Sequence, residues 1–298
     1  MTINKGIISR GNNNTFSTIA IGEKAQASTT TPVPSAEPAT EPGIPWDLGI
    51  VTILSEELRS VIDELKLRRH KTPSGLYFYQ GEHTASEATL RIVATQTQSQ
   101  GQRSTMAALE NLRRHYNPRL WALVGIAGGL HDDHARIGNV IVSTDVVYYE
   151  NRKINPQDTR RRGEHRQAPA HIVHAVNAYF TDHGTPARIN GQMTAHAGDQ
   201  YEVYPGVIGS GEAVIADQAS DIRTYLTTYH EKVLAVDMEA GGLSQYWQEN
   251  SVHGTANPGW VVIRGVSDNA DEEKGHSHHE LASRNAAHVL SQLLPYLC

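Results

Sequence analysis

The chain has 298 residues, with 26 lysines and arginines against 32 aspartates and glutamates, a formal net charge of -6, and one cysteine. Mild acidity without a nucleic-acid motif argues against a DNA or RNA partner, and no stretch reaches the ~18 apolar residues of a membrane span. Cys298 alone cannot form an intrachain disulfide and fits a reducing cytoplasm.

Residues 1–45 read as an appendage and residues 46–298 as one large α/β core. In the appendage, Gly6–Gly22 mixes an Asn run with β-branched residues and few charges, the composition either of self-stacking strands in an assembly motif or of a disordered tail. It has no continuous apolar run of the kind a signal peptide needs. Thr29–Gly43 is rich in Pro, Thr and Ala and is expected to be an extended linker.

The core opens with a buried strand, Leu48–Leu54, that runs into Ser55-Glu56-Glu57 and the helical spacing of Leu58, Val61, Ile62 and Leu65. A second apolar strand, Leu90–Ala94, precedes a turn at Gly101 and the cation Arg103. A third, Leu120–Val124, leads into the glycine-rich turn Gly125-Ile126-Ala127-Gly128-Gly129-Leu130, where glycines would let backbone approach a ligand. That turn matches neither a GxGxxG nor a Walker A pattern. Asn139–Tyr148 is another strand. After it come Arg152, Lys153, Arg160, Arg161, Arg162 and Arg166, six cations in a Pro/Gly/Gln-rich loop of an acidic chain. Such a reversal of sign suits a phosphorylated ligand, an acidic neighbour in an oligomer or a plain solvated loop.

Towards the C-terminus, Gly211-Glu-Ala-Val-Ile215 precedes the strand Val233–Val236, which delivers Asp237-Met238-Glu239. Val261-Val-Ile-Arg264-Gly-Val-Ser267-Asp268 is a further buried strand that carries a carboxyl to its rim. Ligand sites in open α/β sheets lie outside the carboxyl ends of the strands. Asp268 is therefore placed either to act on a ligand or to cap the next helix. His276-Ser-His-His279 lacks the acids or cysteines that would complete a metal site and reads as an exposed loop. The last helix, with Leu281, Ala287, Val289, Leu290 and Leu293, is core packing.

Five of these segments occur in the order seen in the nucleoside phosphorylase superfamily: the strand-Glu-Glu-helix at 48–65, Gly125–Leu130, Gly211–Ile215, Val236-Asp-Met-Glu-Ala240 and Arg264-Gly-Val-Ser-Asp268. Over residues 47–297 the chain most resembles the branch of methylthioadenosine/S-adenosylhomocysteine nucleosidases. It is also similar to phosphorylase-like effector domains of defence proteins. The Met-Glu-Ala and Arg-x-x-Ser-Asp pair is the specific part. The resemblance implies an α/β three-layer fold with a central mixed β-sheet flanked by helices, acting in a homo-oligomer without metal or cofactor on a purine nucleoside or nucleotide. It further implies that Asp268 is the general acid towards the base, that Glu239 beside Met238 holds the ribose hydroxyls, and that Glu57 activates water near Arg264. Ile126, Ala127, Gly128, Val214, Ile215 and Ser267 would complete the substrate wall. Two departures stand out: Ile126 replaces a serine, and Val214 replaces an aromatic ring that stacks on the base.

Carboxylates where phosphorylases place Gly and Arg repel phosphate and favour water as the nucleophile. The expectation is thus an N-glycosidic hydrolase, with ATP or another adenine nucleotide as substrate if the basic residues bind phosphate. A phosphorylase, or a catalytically silent nucleotide sensor, is the alternative.

Overall fold

A computed structural model describes residues 46–85, 88–190, 200–217, 219–251, 259–270 and 277–298. The readings made for residues 1–45, and for His276, lie outside the described residues. Residues 45–298 form one compact unit. In chain order its elements are β1 (Leu48–Thr52), α1 (Ser55–Leu65), β2 (Arg68–Lys71), β3 (Tyr77–Ala85), β4 (Ala88–Gln96), α2 (Gln102–His115), β5 (Leu120–Gly129), β6 (Val140–Tyr148), β7 (Arg152–Ile154), β8 (Thr159–Arg161) and β9 (Glu164–Gln167). They continue with α3 (Ala170–His183), β10 (Ala187–Asn190), β11 (Gln200–Ser210), α4 (Asp221–Tyr229), β12 (Val233–Asp237), α5 (Ala240–Asn250), β13 (Gly259–Asp268) and α6 (His279–Leu297).

The strands that read as continuous apolar runs are the interior ones, because a strand covered on both faces has no polar side to show. The main sheet runs β10-β11-β6-β13-β5-β1-β4-β3-β2, with β12 bridging β11 and β5, and β9 paired to β6. β1, β5 and β13 are parallel neighbours, whereas β13 meets β6 antiparallel, so the sheet is mixed as expected. At one edge all four residues of β2 (Arg-Arg-His-Lys) are exposed, a charged edge that discourages pairing with another sheet.

Helices cover both faces. α1 and α3 pack on α6, and α2 packs on α5. α6 turns Ala282, Ala286, Leu290 and Leu293 inward at helical spacing, and α1 does so with Leu58, Val61 and Leu65. Gly265 lets α6 lie directly on β13, since a Cβ there would overlap the Ala282 carbonyl.

Three sequence expectations need correction. The first strand stops at Thr52 rather than Leu54, because the Ile53 and Leu54 N–H groups turn away from the sheet to a side chain, that of Glu57. The glycine-rich segment after Val124 is not a turn but the second half of β5, paired with Arg264–Asp268 and with β12. The basic stretch after Tyr148 is no simple loop: β7 and β8 form a small antiparallel ribbon, and β9 joins the main sheet.

Candidate active site

The carboxyl ends of β1, β5, β12 and β13 meet at one rim, and each contributes polar groups to it. Glu57, in the first turn of α1, folds back so that Oε2 accepts from Ile53 N at 2.6 Å and Leu54 N at 2.8 Å. Its Oε1 accepts from Ile126 N of β5 at 2.9 Å. Position 125 must be glycine for this, since a Cβ there would overlap Glu57 Oε1 and lie 2.6 Å from Arg264 Nη1. Burial pushes the Glu57 carboxyl above its ordinary range, against the pull of Arg264 and the three backbone N–H groups.

Arg264, mid-strand in β13 and fully buried, is the hub beneath the rim. Its Nε and Nη2 donate to Asp237 Oδ2 at 3.0 and 2.6 Å, and Nη2 also reaches Glu239 Oε2 at 3.1 Å. Asp237 Oδ1 in turn accepts from Ser210 Oγ at 2.7 Å and from the backbone N–H groups of Glu239 and Ala240. Ser210 Oγ accepts from Gln102 Nε2 at 2.9 Å. Glu239 Oε1 accepts from Gly101 N at 3.0 Å. Three enclosed carboxylates thus share one guanidinium. Burial first, and the neighbouring Asp237 charge besides, raise Glu239 to about 7 despite Arg264.

Asp268 ends β13. It does not cap α6, which begins at His279; instead Oδ1 accepts from Ala270 N at 2.9 Å, closing a turn in which Ala270 takes a positive φ of 51°. Ser267 Oγ donates to Asp268 Oδ2 at 2.8 Å. From α4, Arg223 donates to the Asn269 carbonyl at 2.8 Å and the Leu130 carbonyl at 2.9 Å, fastening the Asp268 turn to the chain that follows β5.

Above these groups lies a cavity of about 460 Å³. Glu57, Ile126, Ala127, Gly128, Val214, Ile215, Met238, Glu239, Ser267 and Asp268, all singled out from sequence, line it. Arg264 does not; it reaches the cavity only through the acids it holds. Ile126 contributes its N–H to Glu57, a contact independent of its side chain. Val214 is 53% exposed and supplies an apolar surface, without the flat face of a ring. No lysine or arginine lines this cavity among the described residues.

The structure does not bring the six clustered cations to it. Arg152, Lys153 and Arg160 lie exposed on the ribbon, followed by exposed Arg162. Arg161 pairs with Asp221 at 2.9 Å, and Arg166 is engaged by Glu164, Gln245 and Gln248. Arg103 alone of the cations singled out from sequence lines a neighbouring cavity.

Sequence reasoning missed Asp237, although its place two residues before Glu239 at a strand end was the available signal. It also missed Gln102, Ser210 and Arg223, whose contacts join segments 46 to 108 residues apart and leave no local mark. His279, read as part of an exposed loop, is buried, lies 3.2 Å from Glu56 Oε1 and lines the cavity. Among the described residues no cluster of three or more His, Cys, Asp or Glu could hold a metal ion, and no helix is long and apolar enough to cross a membrane.

Fold and rim together define a three-layer α/β protein with a carboxylate-walled cavity at the strand ends. Residues 47–295 match the phosphorylase superfamily, and the chain belongs to it. The ATP nucleosidase Cap17 of Escherichia coli (strain KTE188) is 25% identical over 238 residues, which cover 76% of this chain and 45% of that relative. The chain thus spans about half the length of that relative. The 5'-methylthioadenosine/S-adenosylhomocysteine nucleosidase of Bacillus thuringiensis (strain Al Hakam) is 25% identical over 254 residues, 84% of this chain and 97% of the relative. Among solved structures, the corresponding nucleosidase of Neisseria meningitidis in complex with methylthio-immucillin-A superposes with a TM-score of 0.63 at 17% identity, covering 84% of this chain and 98% of the other. Futalosine hydrolase of Helicobacter pylori strain 26695 gives 0.63 at 16% identity, covering 84% and 97%. At those identities the structural matches speak for the fold.

Proposed function

We propose that the protein hydrolyses the N-glycosidic bond of a purine nucleoside or nucleotide. The observation that carries this reading is the convergence of Asp268, Glu239 and Glu57 from separate elements on one cavity. Departure of a purine leaves electron density on the base and positive charge on the ribose, so the reaction needs a proton donor at one end and a carboxylate at the other. In the proposed mechanism Asp268 protonates N7 as the bond from C1' to N9 breaks. Glu239 holds the ribose hydroxyls and stabilises the oxocarbenium-like ribose. Glu57 takes a proton from the water that adds to C1', giving free base and the ribose product. Arg264 acts as a positioning residue for Asp237 and Glu239.

Hydrolysis rather than phosphorolysis is supported by the nucleophile corner. Glu57 occupies it, and a phosphate dianion entering there would meet buried acids without a cation on the described wall. The likeness to an ATP nucleosidase supports an adenine nucleotide as the natural substrate, and a nucleotide-depleting role in defence is proposed with it.

The test is base release from ATP, AMP and methylthioadenosine, with and without phosphate, by wild type and Asp268→Asn. The variant should lose roughly 100- to 10,000-fold in kcat. Full base release by Asp268→Asn would end the proposed mechanism. Formation of a sugar product phosphorylated at C1', with the 5' group of the substrate retained, only when phosphate is present would turn the reading to phosphorolysis, and cleavage of methylthioadenosine alone would remove the nucleotide assignment.

A further inference from the structure

A second cavity, of about 970 Å³, adjoins the first: Gln100 lines both, and the neighbours Glu57 and Leu58, like Glu212 and Ala213, each face one of the two. The junction runs through Gly101, which lines the second cavity and whose N–H is held by Glu239 of the first.

The chemistry of its wall is that of an anion site. Arg69 and Arg103 both line it, and neither is paired with a carboxylate among the described residues; Arg69 lies 5.8 Å from the Tyr77 ring centre. The first turn of α2 forms part of the wall, but its N-cap Gly101 already donates its N–H to Glu239 and lies beside the Glu212 carboxylate, so the cationic character of the wall comes from the two arginines. Thr97, 5% exposed, lines the cavity with a buried Oγ1 that has no hydrogen-bond partner. Buried hydroxyls are normally satisfied, so the Thr97 hydroxyl, closed to water behind the wall, has bonding capacity that a ligand seated against that wall can use. Ser104 Oγ accepts from Ser99 N at 3.0 Å and keeps its own proton to donate. Glu212, on the exposed rim, is the single carboxylate of the described wall, against two guanidinium groups.

We infer that this second cavity binds the phosphate chain of a nucleotide whose base and ribose occupy the first. The inference rests on the glycosidase reading of the first cavity and moves phosphate recognition from the arginine ribbon to Arg69, Arg103 and Thr97. Guanidinium groups match phosphate oxygens in charge and hydrogen-bonding sense. The larger volume accommodates a chain of phosphates rather than one.

Calorimetric titration of inorganic tripolyphosphate into the intact protein tests the site without base or ribose. Wild type should bind it with an affinity that falls as salt rises. Arg69→Ala/Arg103→Ala should weaken binding about 10- to 100-fold. Thr97→Val, which keeps the side-chain shape, should weaken it by a smaller factor, and Arg152→Ala/Lys153→Ala should bind as wild type does. No binding by wild type, equal binding by Arg69→Ala/Arg103→Ala, or loss confined to the ribbon variant would overturn the inference. In parallel, the ratio of kcat/KM for ATP over adenosine should fall in Arg69→Ala/Arg103→Ala by the factor seen in binding. Absence of base release from both substrates by wild type would refute the glycosidase reading instead, an outcome the tripolyphosphate titration keeps distinct.

Discussion

Arg264 and the arginines of the β7–β8 ribbon carry the same group into opposite surroundings. Arg264 is sealed under the strand ends and bonded to two carboxylates, one of them reached by two nitrogens. Arg160, with a side chain 76% exposed, meets Asp158 two residues away and is otherwise in water. Out of water a charge interacts strongly and must be fully matched, whereas a hydrated ion pair contributes roughly 0–1 kcal/mol. The density of charge along the chain is therefore a poor guide to where charge matters. One arginine in an apolar strand outweighs a run of them in a polar segment.

The sharpest way to break this contrast is Arg264→Met. It leaves Asp237 and Glu239 enclosed without their cation, and denaturant unfolding should show a loss of about 3–5 kcal/mol. Because Arg264 also holds the Glu57 and Glu239 carboxyls down, activity that survives should show its acidic limb moved to higher pH. An unchanged midpoint and an unchanged profile would mean that the buried network is not coupled.

The next effect is that of pH on the wild type. Glu239 is raised to about 7, so its proton is lost only as pH climbs through that value. If its charge stabilises the ribose cation, kcat/KM should fall about tenfold per pH unit below about 7. A flat profile from pH 7 down to 5 would separate Glu239 from the charged step. Smallest of all is the ribbon: Arg160→Ala should change stability by no more than about 0.5 kcal/mol. A larger loss would erase the distinction between the two regions.

Much of this site was legible because the strands that carry it are fully buried. A run such as Val261–Ile263 has one reading, and an Arg or Asp interrupting it calls for a physical reason. The exposed half was less legible. The β7–β8 ribbon has no apolar alternation, so its pairing depends on register and turns that composition does not encode. The glycines of β5 look like a turn in isolation; the Glu57 and Arg264 side chains packed over Gly125, and the Ala135 carbonyl over Gly129, show that they make room for close neighbours of a strand. The second cavity was the hardest to foresee, because its walls come from β2, β3, the end of β4 and α2, and no single segment announces it.

The grip on Glu57 is made by three main-chain N–H groups, from Ile53, Leu54 and Ile126. Every residue except proline offers such a group. The identities of the side chains at 53, 54 and 126 are thereby uncoupled from the orientation of the acid, and all three positions line the cavity. Such a design allows selection, or an engineer, to recast the shape of the pocket while the Glu57 carboxylate stays put. A change of side chain at 126 is then a change of tailoring on an unchanged frame.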